Sequence, residues 1–261
     1  MKKSLRERDM GENTELIQTV VKAVQIVELL DREGAMRIRE IAKSLKLGKS
    51  SVHRIVSTLK HTGWIIDNPA TGKAELSYKL FSIGSNVVKR MSEREVFHRH
   101  METLSDSTGE NVNLGVLFEG KVFHIDKVES KSPIKVDASV GTPTSSYNTA
   151  LGKVLLAEKS DAEVEDLFRD VKFVKTGKNT ILSTSALLKE LETVRNQGFA
   201  CDDEEYAESM ICYAVPVRDA DGNANYALSV SFPKYRYDHK PEEKEAILRL
   251  LIETGKTLSR P

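Results

Sequence analysis

The sequence predicts an α+β chain in two parts. The front has three helices closed by one hairpin. The longer back alternates hairpins with helices around a mainly antiparallel sheet. Three observations predict this. Apolar residues recur at helical spacing from Val20 to Leu59, then give way to a short strand-like run at Trp64. Paired strand-like runs flank Glu119-Gly120 and residues 219–223. Charge divides where the pattern does: residues 1–90 hold 17 Lys and Arg against 10 Asp and Glu, and residues 91–261 hold 22 against 29. A net charge of +0 therefore hides a basic front and an acidic back.

A length of 261 residues suggests two domains. No apolar run approaches the roughly 20 residues that span a bilayer, so no membrane partner is expected. No apolar stretch follows Met1-Lys2-Lys3-Ser4, so no signal peptide is expected. Cys201 and Cys212 make neither a C-x-x-C pair nor a disulfide framework, which fits a reducing cytoplasm.

The elements follow in order. Residues 1–15 are polar and unpatterned, as in a flexible arm. Val20, Val24, Val27 and Leu30 form the stripe of a first helix that Gly34 closes. Ile38, Ile41, Ala42 and Leu45 mark a second. Gly48 breaks the chain, and Ser50 or Ser51 is expected to cap a third helix with Val52, Ile55, Val56 and Leu59 inward. Trp64–Asp67 and Ala74–Tyr78 read as strands around a turn at Asn68–Gly72. This is the order of a winged helix-turn-helix over residues 16–79. A linker helix is expected over 80–91 and a second domain over 92–261. That domain opens with a helix, Ser92–Ser107, expected to bury Val96, His100 and Leu104. Strands at Asn113–Phe118, Lys121–Asp126, Ile211–Val217 and Tyr226–Phe232, and helices at Thr149–Glu158 and Ser185–Asn196, complete it.

The third helix has the chemistry of a DNA reader. Lys49, Ser50, Ser51, His53, Arg54 and Ser57 are polar, and lie near its N-terminal end or outer face. Arg54 suits a guanine edge or a phosphate. Arg37, Arg39, Lys43 and Lys46 add charge, and Lys73, expected at the wing tip, would meet a neighbouring phosphate or the minor groove. The expected partner is double-stranded operator DNA. Gly48-Lys49-Ser50 is no phosphate-binding loop, because position 43 is Lys where that motif needs Gly.

In the back, Cys212, Ala214 and Pro216 share one strand face, and Ala227, Ser229 and Ser231 share another. Their opposite faces are bulky. A small, mildly polar face fits either a ligand cup or a sheet packed closely under a bulky helix, and spacing alone leaves both open. Asp202-Asp203-Glu204-Glu205 is the pattern of a solvated loop, with one acid free to turn inward. The Ser/Thr-rich run Thr142–Thr149 leads into a helix whose first amides would favour an anion.

The sequence resembles the IclR family of bacterial transcription regulators from about Thr19 to Ser259. Four stretches carry the resemblance: Leu47–Arg54 followed by Leu59 and Gly63; Thr108–Leu114; Ala150–Ala157; and Gly198–Ala200 with Asp202–Glu205, Ala214–Val217 and Ser229–Ser231. The resemblance implies a GAF-like effector domain behind the winged helix. It also implies a homodimer or tetramer and a small organic-acid, aromatic-acid or sugar-acid effector. Matched by position, the effector site would use Ala150, Leu151, Asp202, Met210, Cys212, Ser229 and Ser231. The family often has Gly where this chain has Ser209. Ser145-Ser146-Tyr147-Asn148 is more polar than usual, which favours a hydroxylated effector.

The expected function is therefore an effector-controlled DNA-binding regulator, acting as a repressor. Two other readings differ in kind: a DNA-binding oligomer without a ligand, and an enzyme with a DNA-binding appendage. Neither G-x-S-x-G nor H-E-x-x-H occurs, and the six histidines are scattered, so no catalysis, metal or cofactor is expected.

Overall fold

The computed structural model describes residues 16–89, 93–132 and 140–259. The expected arm over residues 1–15 lies outside them. The chain forms two compact units, Met1–Met91 and Ser92–Pro261.

The first unit has the expected order of elements: α1 (Gln18–Glu33), α2 (Ile38–Leu45), α3 (Lys49–His61), β1 (Ile65–Asp67), β2 (Ala74–Leu76) and α4 (Tyr78–Lys89), except that Tyr78, expected to end the second strand, opens α4. Ile26, Leu29 and Leu30 of α1 meet Ile41, Val52, Ile55, Val56 and Ile65 in one core. Gly34 ends α1 at φ 74, a conformation that favours glycine. β1 and β2 pair antiparallel, and Met36 bridges Ala74 on the far side of β2. Another expectation fails here. Gly48 is the residue before α3 and no side chain caps it, so Ser50 and Ser51 lie inside the first turn.

The second unit holds α5 (Arg94–Thr108), β3 (Asn111–Phe118), β4 (Lys121–Val128), β5 (Pro143–Ser145), α6 (Ala150–Ala157), α7 (Asp161–Phe168), α8 (Thr184–Gln197), β6 (Ala200–Asp203), β7 (Met210–Arg218), β8 (Ala224–Pro233) and α9 (Pro241–Leu258). Six antiparallel strands run in the order β5-β4-β3-β8-β7-β6. The Glu119-Gly120 turn has positive φ at both residues, as a two-residue hairpin turn requires. The helix expected at Ser92–Ser107 is α5, but its buried apolar residues are Phe97, Met101 and Leu104, while Val96 is exposed. The stripe is turned by one residue because Phe97 and Met101 offer more apolar area than Val96 and His100.

The sheet alternates as its two-residue period demands. Ile211, Val215, Val217, Leu228, Val230 and Phe232 pack with α5 and α9. Cys212, Ala214 and Ala227 face the other way, into the core of α6, α7 and α8. The small-residue face thus lies under α6.

Candidate functional site

In the first unit, α3 turns Val52, Ile55 and Val56 into the core. That leaves Lys49, Ser50, His53, Arg54 and Ser57 exposed and Ser51 half-buried. Arg37 precedes α2; its amide donates to the Glu40 carboxylate at 2.8 Å and its side chain is exposed. Lys73 is not at the wing tip. Its carbonyl accepts the Asn68 amide, closing the hairpin, and the tip is Pro69–Gly72. Asn68 Oδ1 holds that tip by accepting from the Ala70 and Thr71 amides. Lys73 therefore stands beside the tip, in the pair that closes the wing's turn. There its charge, secondary to the Arg37 amide, helps hold the Glu40 carboxyl below its ordinary value.

In the second unit, strand register brings most of the expected effector residues together. Asp202 pairs Cys212, Cys212 pairs Ser231, and Ala214 pairs Ser229, so these side chains share the α6 face. Ala150 and Leu151 cover it from the first turn of α6. Met210 shares the face at the start of β7 and is half-buried. Ser231 Oγ donates to Cys212 Sγ at 3.2 Å and accepts from Asn113 Nδ2 at 3.3 Å. Burial and the Asp202 charge push the Cys212 thiol up to about 12, which makes it a poor nucleophile at neutral pH.

Sequence reasoning missed three members of this face. Asn113 pairs Ser229 and Lys127, and Gly115 pairs His124. Asn113, Lys127 and His124 thus extend the polar row across β3 and β4. Asn113 Oδ1, Ser229 Oγ and His124 Nδ1 are buried without a hydrogen-bond partner. Burial, with Lys127 adding to it, lowers the His124 pKa to about 4, so the ring is neutral. The available signal was period two in Lys121–Ile125, which sets Val122 and His124 apart from their neighbours, whereas Asp126 lies on the α5 face and bonds His98. A bulge beside Gly115 breaks that alternation before Lys127 and hides it.

Two expectations about this region are corrected. The acidic run begins in a strand and not in a solvated loop, although an acid does turn inward as expected. Asp202, in β6, is 1% exposed, and its Oδ1 accepts from the Glu205 and Tyr206 amides. Glu205 is buried, while Asp203 and Glu204 both pair with Lys234 at 2.7 Å. The polar run before α6 does not make a polar ligand wall either. Ser146 Oγ donates to Gly120 O, Asn148 Nδ2 to Thr176 Oγ1, and Ser145 Oγ to Asn148 Oδ1. These groups hold the start of α6, and Thr149 caps it by accepting from the Gly152 amide.

Ser209, at the position where glycine was expected, adopts φ 59. Its amide donates to Glu204 Oε1 at 3.0 Å and its carbonyl accepts from the Lys234 amide at 2.8 Å. A surface groove of about 300 Å³ at the far end of α6 includes Arg195 and Arg218, both already engaged by Asp161 and Glu158. Among the described residues, no group of three or more His, Cys, Asp or Glu is placed to hold a metal. No described helix is long and apolar enough to cross a membrane.

The IclR helix-turn-helix model matches residues 19–68, and the C-terminal domain model of bacterial transcriptional regulator IclR matches residues 85–260. The HTH-type transcriptional regulator KdgR of Escherichia coli is 32% identical over 89% of this chain and 88% of that protein. The crystal structure of Thermotoga maritima IclR covers 94% of this chain and 98% of its own, at 28% identity and a TM-score of 0.68. An IclR homologue from Microbacterium hydrocarbonoxydans, solved with 4-hydroxybenzoate, shares the fold at a TM-score of 0.75 and 21% identity, over 92% of this chain and 97% of that one. The chain belongs to the IclR family of bacterial transcriptional regulators.

Proposed function

We propose that the protein represses transcription by binding operator DNA through α3, and that a small hydroxylated acid, a sugar acid or related organic acid, releases it. The observation that carries the effector half is the set of unpartnered buried atoms on the α6 face: Asn113 Oδ1, Ser229 Oγ and His124 Nδ1. Leaving such atoms unpaired costs about 1–3 kcal/mol each, and a ligand with hydroxyl groups recovers that cost. The 4-hydroxybenzoate complex of a homologue supports a small acid as ligand. On the DNA side, Arg54 supplies the base-reading fork and Lys49 and Lys73 supply phosphate contacts. The exposed Leu16, Ile17, Val20 and Val24 of the α1 region support self-association through the first unit.

One experiment tests the whole reading. Operator DNA is selected from random duplexes with the full chain, and release is titrated with a panel of sugar acids and aromatic acids. A sugar acid is expected to release the operator and raise the melting temperature, and Ser229→Ala to weaken both effects. Arg54→Ala is expected to abolish specific binding with the fold retained. Absence of any thermal shift across the panel would favour the ligand-free oligomer. Turnover of a panel member that Cys212→Ala abolishes would favour the enzyme.

A further inference from the structure

The recognition helix and the linker helix are joined end to end by side chains. Three successive carbonyls follow the end of α3 at His61: those of Thr62, Gly63 and Trp64. Lys79 Nζ donates to Thr62 O at 2.7 Å, the Ser77 hydroxyl donates to Gly63 O, and the Ser77 amide donates to Trp64 O at 3.0 Å. The Ser77 hydroxyl also accepts from the Lys79 amide at 3.3 Å. One side chain thus caps the start of α4 while it donates to the end of α3. The Lys79 ammonium meets the negative end of the α3 dipole. Gly63 sits at φ 76, a conformation that favours glycine, and a β-carbon there would make only ordinary contact with Lys79 Cδ, at 3.6 Å.

We propose that Ser77 and Lys79 are positioning residues for operator recognition. They fix the direction in which the linker leaves the recognition helix. In an oligomer whose contact includes α4, where Tyr78, Phe81 and Val87 are exposed, that direction sets the separation of two recognition helices and therefore the spacing of operator half-sites. Neither residue belongs to the exposed set Lys49, His53, Arg54 and Ser57, so the latch acts on geometry and not on base contacts. This rests on the reading that α3 enters the groove and that the chain binds DNA as an oligomer.

The test uses the full chain on a selected operator and on copies whose half-site spacing is changed by about one and two base pairs. Wild type is expected to prefer one spacing by about tenfold. Lys79→Met is expected to lose about fivefold at that spacing, the upper end for one exposed cation at a helix terminus, and to discriminate by less than about twofold. Lys79→Arg should restore the preference. Ser77→Ala should flatten it likewise, and the salt slope of Lys79→Met should not move. A wild-type spacing profile in Lys79→Met, no spacing preference in wild type, or a salt slope smaller by about one, the mark of a lost phosphate contact, overturns the proposal. Arg54→Ala on the same operators separates the two readings. Unchanged affinity there refutes α3 as the reader. A defective Arg54→Ala beside a Lys79→Met with the wild-type profile refutes the latch alone.

Discussion

Lys153 donates to Glu190 Oε1 at 2.8 Å, to Cys201 O at 2.5 Å and to Glu205 Oε1 at 2.5 Å, which uses its three protons. The side chain is 0% exposed, inside a helix that reads as an apolar run. Burial alone would lower its pKa, but Glu205 and Glu190 outweigh burial and raise it. The acids are less well served, because one ammonium faces Glu190, Glu205 and nearby Asp202. Burial pushes Glu205 up to about 7 and Asp202 up to about 6. A carboxyl whose pKa is raised on folding binds protons more readily when folded. Its contribution to stability is present below the ordinary value and lost as pH rises through the raised one. The melting temperature of wild type minus that of Glu205→Gln should therefore fall between pH 4.5 and about 7, then level. A difference that climbs over that window would mean that Lys153 dominates and holds Glu205 low. None of this arrangement was legible in the sequence. The partners of Lys153 lie 37, 48 and 52 residues away, so spacing cannot show them. Ser229, Ser231 and Cys212 were legible because a strand's period is short and local.

Elements with one uninterrupted period were legible, and those with a broken or mixed period were not. α2 was read over its observed extent, and α3 to within two residues, from an inward stripe. β6 was hidden because two of its four residues are aspartates, a poor strand former that the fold tolerates by burying Asp202 on its own turn. α9 went unread although Pro241, Glu242 and Glu243 open it like a helix. Its buried stripe is sparse, Ile247, Leu251, Gly255 and Leu258, and includes a glycine. The glycines show how tightly these elements meet. A β-carbon on Gly152 would stand 2.2 Å from Ser146 O, a backbone atom held by the polar run before α6. A β-carbon on Gly255 would stand 2.6 Å from Val215 Cγ2, a side-chain atom able to move. Gly152→Ala is therefore expected to cost about 3 kcal/mol, the upper end for overpacking, and Gly255→Ala about 1 kcal/mol. Thermal melts of the two variants check the order. Equal losses would show that the Ser146 backbone yields as easily as a methyl group.

Across the whole molecule, the surplus of seven basic residues before position 91 is matched by seven acidic ones after it. Such a molecule meets a polyanion by its front and is repelled behind, so DNA contact should be confined to the first unit. The second unit supplies an internal control, since Lys172, Lys175 and Lys178 form an exposed basic loop on the acidic half. Each phosphate neutralised adds about 0.9 to the slope of log affinity against log salt. Lys49, exposed at the start of α3, should carry one such contact, and Lys49→Ala should reduce the slope by about one. Lys73→Ala should reduce it by less, because Glu40 already draws on that charge. Replacing Lys172, Lys175 and Lys178 together by Ala removes three charges and should leave the slope unchanged. Operator titrations at several salt concentrations measure all four proteins alike. A slope that drops in the triple variant would place DNA against the second unit and end the division of labour that the charge pattern implies.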